Sequence, residues 1–147
     1  MTSNEIEQTV THLLNQVSGR RTPARESVLN ILLSEKCALN HQSIEDIAQQ
    51  RGLSLDKVTL YRTLDWLVEQ GLAHRIASID RTWYFNALPN FGTAPHAHFH
   101  CKRCSRIYCL EHIQATPPSD LPAEYLIEEA TLCLEGQCIH CANDPEN

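Results

Sequence analysis

The chain has 147 residues, 42% of them hydrophobic, and a formal net charge of −6 at pH 7, which allows one or two small folded domains and argues against a disordered chain. No apolar run approaches the roughly 20 residues of a membrane-spanning helix, and acidic residues occupy the N-terminus where a signal peptide carries Lys or Arg. We therefore expect a cytoplasmic protein with no membrane partner. Residues 91–147 hold 3 Lys/Arg against 8 Asp/Glu. Residues 1–90 hold 9 Lys/Arg against 10 Asp/Glu. This near-neutral half therefore has enough cations to form a local phosphate-binding face.

Two helices are predicted at the start of the chain. Apolar residues at helical spacing predict the first helix over residues 4–17. The second is predicted to begin at Pro23, a residue favoured in the first helical turn, with Thr22 as its N-cap and an end near Glu35.

A third and a fourth helix follow, with Ser43 and Ser54 as their predicted N-caps. The fourth is expected over residues 55–70, with Val58 among the apolar residues of its inner face. Its outward residues include donors that suit contact with DNA base edges. An ordinary amphipathic helix in a small bundle would have the same periodicity.

The segments after these helices favour a DNA-contacting fourth helix over an ordinary helix of a small bundle. Two short runs, 73–79 and 82–86, have the pattern of a β-hairpin. Helices followed by a hairpin are typical of a winged helix-turn-helix, so residues 1–87 are predicted to be a DNA-binding domain of this type. Residues 88–95 are predicted to be a hinge.

The remaining residues, 96–147, are predicted to form a small second domain. Strands are expected over residues 96–101, 106–111 and 125–135, and a short helix near residues 119–124. Together the two domains predict a fold of the α+β class.

Cysteines concentrate in this second domain, with six of the seven after residue 100. Disulfides are disfavoured in a cytosolic chain, so the cluster indicates metal ligation or redox chemistry. Two CxxC pairs, Cys101 with Cys104 and Cys138 with Cys141, predict one closed, structural zinc site. Two separate redox pairs, or buried reduced cysteines, are the alternatives.

Histidines form a second constellation with Cys109. His96, His98 and His100 alternate along a predicted strand and so share one face. With His41 and Cys109 they offer imidazole and thiolate ligands, which suit zinc or another borderline transition ion. The spacing alone is equally compatible with a polar, exposed face.

Three motifs carry a resemblance to a known family: Arg20-Arg21-Thr22-Pro23-Ala24-Arg25, Leu60-Tyr61-Arg62-Thr63-Leu64 with Glu69-Gln70-Gly71-Leu72, and His96-Ala97-His98-Phe99-His100-Cys101-x-x-Cys104. In this order, over residues 20–141, they resemble the ferric-uptake-regulator superfamily. The resemblance implies a homodimeric transcriptional repressor, not an enzyme, that binds AT-rich inverted repeats in double-stranded DNA when its corepressor metal is bound. It also implies that residues 96–147 form a small α/β domain for dimerisation and metal binding.

The resemblance also implies roles for single residues. Its structural zinc site matches four cysteines, Cys101, Cys104, Cys138 and Cys141. Its sensory site matches His41 in the DNA-binding domain and His96 and His98 in the dimerisation domain. Tyr61 matches a base-contacting tyrosine, Arg62 a phosphate contact and Arg20 a residue that reaches toward the minor groove. The predicted DNA-binding set is Arg20, Lys57, Thr59, Tyr61 and Arg62.

Departures from the family pattern concern the sensed metal. Asn86 and Cys109 stand where iron-type members usually place glutamates, and Ala97 and Ala130 occupy positions of a further carboxylate-and-histidine site. The predicted sensory site is therefore His41, His96, His98 and Cys109. Three nitrogens and one sulfur favour tetrahedral zinc over ferrous iron or manganese. We expect a regulator of the zinc-uptake type, with sensing of iron or another metal as the alternative.

One ion held on both sides of residues 88–95 would restrict this hinge and set the spacing of two winged helices. The rivals from other classes are a zinc hydrolase or thiol-redox protein built on the CxxC pairs, and a zinc-ribbon adaptor. The sequence has no His-Glu-x-x-His motif and no recognisable nucleophile-plus-base motif. A zinc-ribbon adaptor would need neither Tyr61 nor the predicted β-hairpin, which is the wing of a winged helix-turn-helix.

Overall fold

The computed structural model describes residues 1–88 and 95–144. The chain divides into two compact units, Met1–Gly92 and Thr93–Asn147. Residues 89–94, which make up most of the predicted hinge, lie outside the described residues. Within the described ranges, no helix combines the length and the apolar character that a membrane crossing requires.

The first unit contains four helices and a small sheet. Its elements are α1 (Ser3–Gln16), α2 (Pro23–Ser34), β1 (Leu39–Asn40), α3 (His41–Gln50), α4 (Lys57–Glu69), β2 (Ala73–Ala77) and β3 (Trp83–Ala87). The strands are antiparallel in the order β1-β3-β2, with Leu39 opposite Phe85. Strands β2 and β3 form the predicted hairpin, so the expected order of a winged helix-turn-helix is confirmed.

Two of the three predicted N-caps differ from those in the structure. Thr22 caps α2 as expected, but α3 is capped by Asn40 and α4 by Asp56, not by Ser43 and Ser54. The Asn40 side chain accepts a hydrogen bond from the N–H of Ser43 at 2.8 Å, so Ser43 is already inside the helix. Asn and Asp are as good as Ser at this position, so the composition of the segment did not distinguish them.

The core of the first unit lies between the helices and the sheet. Leu29 of α2, Leu64 of α4 and Phe85 of β3 are among its buried side chains. Thr63 is also buried, whereas Val58, predicted to face inward, is 60% exposed. The inner face of α4 is therefore rotated from the predicted one, because Leu60, Leu64 and Leu67 define it.

The second unit is built on a three-stranded sheet. Its elements are β4 (His96–Cys101), β5 (Ile107–Gln114), β6 (Leu132–Gly136) and α5 (Ile139–Ala142). The central strand β4 is antiparallel to β5 and parallel to β6. With the helix-rich first unit, this sheet confirms the predicted α+β class.

Two predictions for the second unit are wrong. The strand expected over residues 125–135 begins only at Leu132, and no helix forms over residues 119–124. That segment contains two turns, in which Leu121 donates to the Pro118 carbonyl at 3.3 Å and Tyr125 to the Pro122 carbonyl at 3.2 Å. Pro122 in the middle of the predicted helix cannot donate a backbone hydrogen bond.

Candidate metal centres and DNA-reading helix

Two cysteine pairs of the second unit converge on one point. Cys101 ends β4 and Cys104 lies in the following turn, while Cys138 is the N-cap of α5 and Cys141 lies within that helix. The four Sγ atoms lie within 4.8 Å of one another, and those of Cys104 and Cys138 are 3.8 Å apart. Sulfurs about 2.3 Å from a tetrahedral zinc ion are spaced by about 3.8 Å. The four predicted ligands are therefore brought together in an arrangement that fits zinc.

Hydrogen bonds to main-chain carbonyls hold both cysteine turns. Ser105 adopts a left-handed φ of 59°, and its N–H donates to the carbonyl of Cys101 at 2.8 Å. Lys102 donates to the Gly136 carbonyl at 2.8 Å, which ties the first turn to β6. The Arg103 guanidinium donates to the carbonyl of Cys141 at 2.6 Å. The geometry of the centre is thus built into the turns.

The thiols of this centre differ in acidity. Backbone N–H groups of Cys104 and Cys138 lower the pKa of Cys101 to about 5, and the backbone of Cys141 lowers the pKa of Cys138. Burial raises the pKa of Cys141 to about 12. A divalent cation favours the thiolate form of all its cysteine ligands. Four thiolates and no open position make this a structural centre.

Three further potential ligands lie on the same sheet. His98 of β4 is directly opposite Cys109 of β5, and the rings of His96 and His98 have centroids 4.9 Å apart. The ligand atoms of His96, His98 and Cys109 all lie within 4.8 Å of one another. Burial, with a smaller effect of His96, lowers the pKa of His98 to about 4, so this imidazole is neutral at pH 7. Neutral imidazole is the form that binds metal.

His41, the remaining member of the predicted sensory site, begins α3 in the first unit. Its ring is stacked on that of Tyr61, with centroids 3.9 Å apart and an interplanar angle of 14°. The edge contact of His41 with Phe85 has a centroid distance of 5.0 Å. Burial lowers the pKa of His41. A role of His41 as a metal ligand stays a prediction.

The outer face of α4 carries most of the predicted DNA-binding residues. Lys57 and Arg62 are exposed, and Tyr61 and Val58 are 49% and 60% exposed. Thr59 is engaged elsewhere, since its hydroxyl donates to an Asp56 carboxylate oxygen at 2.7 Å. The face thus presents two cations and two apolar groups, and Thr59 stabilises the start of the helix.

Arg20, the fifth predicted DNA-binding residue, is exposed in the segment between α1 and α2. Its carbonyl accepts a hydrogen bond from the Arg25 guanidinium, which lies 3.7 Å from the centroid of the Trp66 ring. A chain of contacts thus runs from α4 to Arg20. This role of Arg25 was not predicted from the sequence, although Arg25 stands in the first of the family motifs.

The sequence model of the ferric uptake regulator family matches residues 16–121, more than half of the chain. The Zinc uptake regulation protein of Escherichia coli strain K12 is 27% identical over 115 residues, which cover 77% of this chain and 67% of that protein. The protein of the same name from Shigella flexneri matches equally well.

Solved structures share the fold. A zinc uptake regulator complexed with zinc and DNA has a TM-score of 0.72 and 22% identity, covering 97% of this chain and 96% of that one. The Helicobacter pylori ferric uptake regulator has a TM-score of 0.62 and 13% identity, covering 99% and 97%. The fold, the order of the motifs and the sequence match agree, and the chain belongs to the ferric uptake regulator family.

Proposed function

We propose that the protein is a zinc-responsive transcriptional repressor, not an enzyme, that binds operator DNA in the cytoplasm as a homodimer. The observation that carries this proposal is the presence of two separate ligand groups in the second unit, the four cysteines and the group of His96, His98 and Cys109. A four-thiolate centre is closed and serves stability, so we assign the response to metal to the second group. Sensing of iron is the alternative, although a thiolate among imidazoles favours zinc.

DNA binding is supported by the first unit. Lys57 and Arg62 place positive charge on the outer face of α4, which suits phosphate contact. Tyr61 lies between them and is half-exposed, which suits contact with base edges. The similar zinc uptake regulator is described as complexed with zinc and DNA. We infer that α4 is the recognition helix and that Arg20 reaches the neighbouring minor groove.

A tetrahedral zinc ion needs one ligand beyond His96, His98 and Cys109. We propose that a histidine of the first unit supplies it, His74 of β2, and we keep His41 of α3 as the alternative. His41 is stacked on Tyr61, and His12 is exposed and hydrogen-bonded to Gln16 at 2.6 Å. His74 lies opposite Asn86, which stands where iron-type members usually place a glutamate, so we favour His74 among the described histidines of the first unit.

Regulation would follow from the position of these ligands in the chain. His74 precedes residues 89–94 in the chain and the other three ligands follow them, so a shared ion would link the two units. Loading would then favour the DNA-binding arrangement of two winged helices, with reciprocal coupling between metal and DNA. A coupling of about 1–3 kcal/mol is typical and is enough for graded repression.

Homodimer formation is supported by apolar side chains on the surface of the second unit. Tyr125, Leu126 and Ile139 are 63%, 95% and 70% exposed. Ile127 and Leu134 add to this surface at 46% and 39%. A continuous exposed apolar run such as residues 125–127 suits an interface, and a second copy is the partner that an inverted repeat in DNA requires.

The test is a duplex-binding assay on protein that retains its structural zinc. Duplexes are selected from a random pool by the zinc-loaded protein, and their affinity is then measured with and without added zinc. We expect tighter binding with zinc, a loss of this response in His74→Ala, and an inverted repeat in the selected duplexes. Failure to bind any duplex would leave a zinc-ribbon adaptor or a thiol-redox protein as the explanation of the cysteines.

A further inference from the structure

An aromatic stack joins α3 to the exposed face of α4. The ring of His41, the first residue of α3, lies parallel to the ring of Tyr61, with 3.9 Å between centroids. Both residues belong to the first unit. The pair lies on the face that we propose reads DNA.

The stack is anchored in the core on one side and reaches the surface on the other. Phe85 is 2% exposed and meets the His41 ring edge-on at 5.0 Å. His41 itself is held by the start of α3, where the Asn40 side chain accepts a hydrogen bond from the N–H of Ser43. Tyr61 at the outer end is 49% exposed. A series of rings thus leads from Phe85 through His41 to Tyr61.

A half-exposed tyrosine on a helix ordinarily has freedom to change rotamer. A flat ring packed parallel to it restricts that freedom, and a restricted side chain loses less entropy when it binds. Stacking of this kind is favourable beyond the area that it buries. An imidazole is small enough to support one face of Tyr61 while about half of that residue stays exposed.

We propose that His41 is a positioning residue for Tyr61, which it holds in the conformation that contacts DNA bases. The inference rests on the proposed function, because it concerns the same DNA-reading helix. What His41 supplies in this role is a flat ring and not a nitrogen ligand. The role is therefore distinguishable from that of a metal ligand.

The experiment compares His41→Ala with His41→Phe, which keeps a flat ring and removes both ring nitrogens. Duplexes selected from a random pool by the zinc-loaded wild type serve as the probe, at saturating zinc. We expect His41→Ala to lose up to about tenfold in affinity, the scale of one stacking contact, and His41→Phe to stay close to wild type. His12→Ala, an exposed residue of α1, is the control.

Two further readouts separate positioning from a general structural effect. The Tyr61 ring-proton shifts should move toward those of a free tyrosine in His41→Ala and stay displaced in His41→Phe. Zinc affinity in both variants should equal that of wild type. The inference is overturned if His41→Ala binds DNA like wild type, if His41→Phe loses as much DNA affinity as His41→Ala, or if either variant binds zinc more weakly than wild type. A wild type that binds no duplex would instead reject the proposed function, and the inference with it.

Discussion

Gly19 lies so close to the indole ring of Trp66 that a Cβ on Gly19 would stand 3.2 Å from Cζ2 and 3.4 Å from Nε1. The φ of Gly19 is +122°, a conformation that L side chains rarely adopt. The same indole ring lies 3.7 Å from the Arg25 guanidinium. The segment that presents Arg20 is therefore fixed by a side chain of α4, the helix proposed to read DNA.

Gly19→Ala should therefore destabilise the first unit by about 1–3 kcal/mol, the usual range for a residue forced into a sparsely populated conformation. Gly52→Ala is the matched control, because Gly52 also has a positive φ, +70°, but nothing lies within 4 Å of its would-be Cβ. Urea unfolding followed by tryptophan fluorescence measures both. Equal losses of unfolding free energy in the two variants would show that the close approach to Trp66 does not add to the destabilisation by Gly19→Ala.

Cys101→Ser should release the structural zinc. Cys101 is 0% exposed and accepts a hydrogen bond from the N–H of Cys138 at 3.3 Å, so its loss removes a ligand and loosens the opposite turn. We expect the second unit to unfold in this variant, because binding and folding of such centres are linked. Zinc content and circular dichroism check the result, with Cys37→Ser of the first unit as control. Zinc that stays bound at full occupancy would contradict the assignment.

Val58 should contribute to the preference for thymine. Its 60% exposure on α4, one turn from Tyr61, presents methyl groups where base edges are read, and apolar contact with the thymine methyl is a common way to recognise that base. We expect replacement of thymine by uracil in a selected duplex to weaken binding of the wild type more than that of Val58→Ala. The comparison requires affinities of two proteins for two duplexes. An identical effect of uracil on both proteins would rule out this contact.

Asp56 makes the stability of the start of α4 depend on pH. Hydrogen bonds from the hydroxyl and the N–H of Thr59 lower the pKa of Asp56 below its ordinary 3.8. A lowered pKa means that the stabilisation is fully present above the unfolded pKa and is lost as pH falls through the folded pKa. Asp56→Ala should therefore be less stable than wild type at neutral pH, and the difference should shrink below about pH 4.

Tryptophan fluorescence measures this difference in the first unit alone, because Trp66 and Trp83 both lie there. Asp46→Ala is the control, since Asp46 is an exposed residue of α3 that accepts a hydrogen bond from the Gln42 side chain. A difference between Asp56→Ala and wild type that stays constant down to pH 2 would argue against the cap.

The sequence predicted the elements that depend on local pattern. Thr22 and Pro23 gave the start of α2 correctly, because a cap and a first-turn proline are local signals. The prediction of Ser43 and Ser54 as caps was wrong. Asn40 and Asp56 suit the same role equally well, and only the packing of each helix selects the residue that caps it.

Features set by three-dimensional packing were harder to predict. The exposure of Val58 follows from the rotation of α4 on its core, which an apolar residue in the sequence does not reveal. The stack of His41 on Tyr61 joins residues 20 positions apart on different helices. By contrast, the two CxxC pairs predicted the converging cysteines well, because the two-residue spacing itself makes the turn.

The most direct test of zinc sensing is the response of duplex binding to added zinc in Cys109→Ser, with structural zinc retained. Cys109 lies opposite His98 in the proposed sensory group, and His112→Ala, an exposed residue of the same strand, is the control. We expect wild type and His112→Ala to bind DNA more tightly as zinc is added and Cys109→Ser to show no such response. An undiminished zinc response in Cys109→Ser would contradict this expectation.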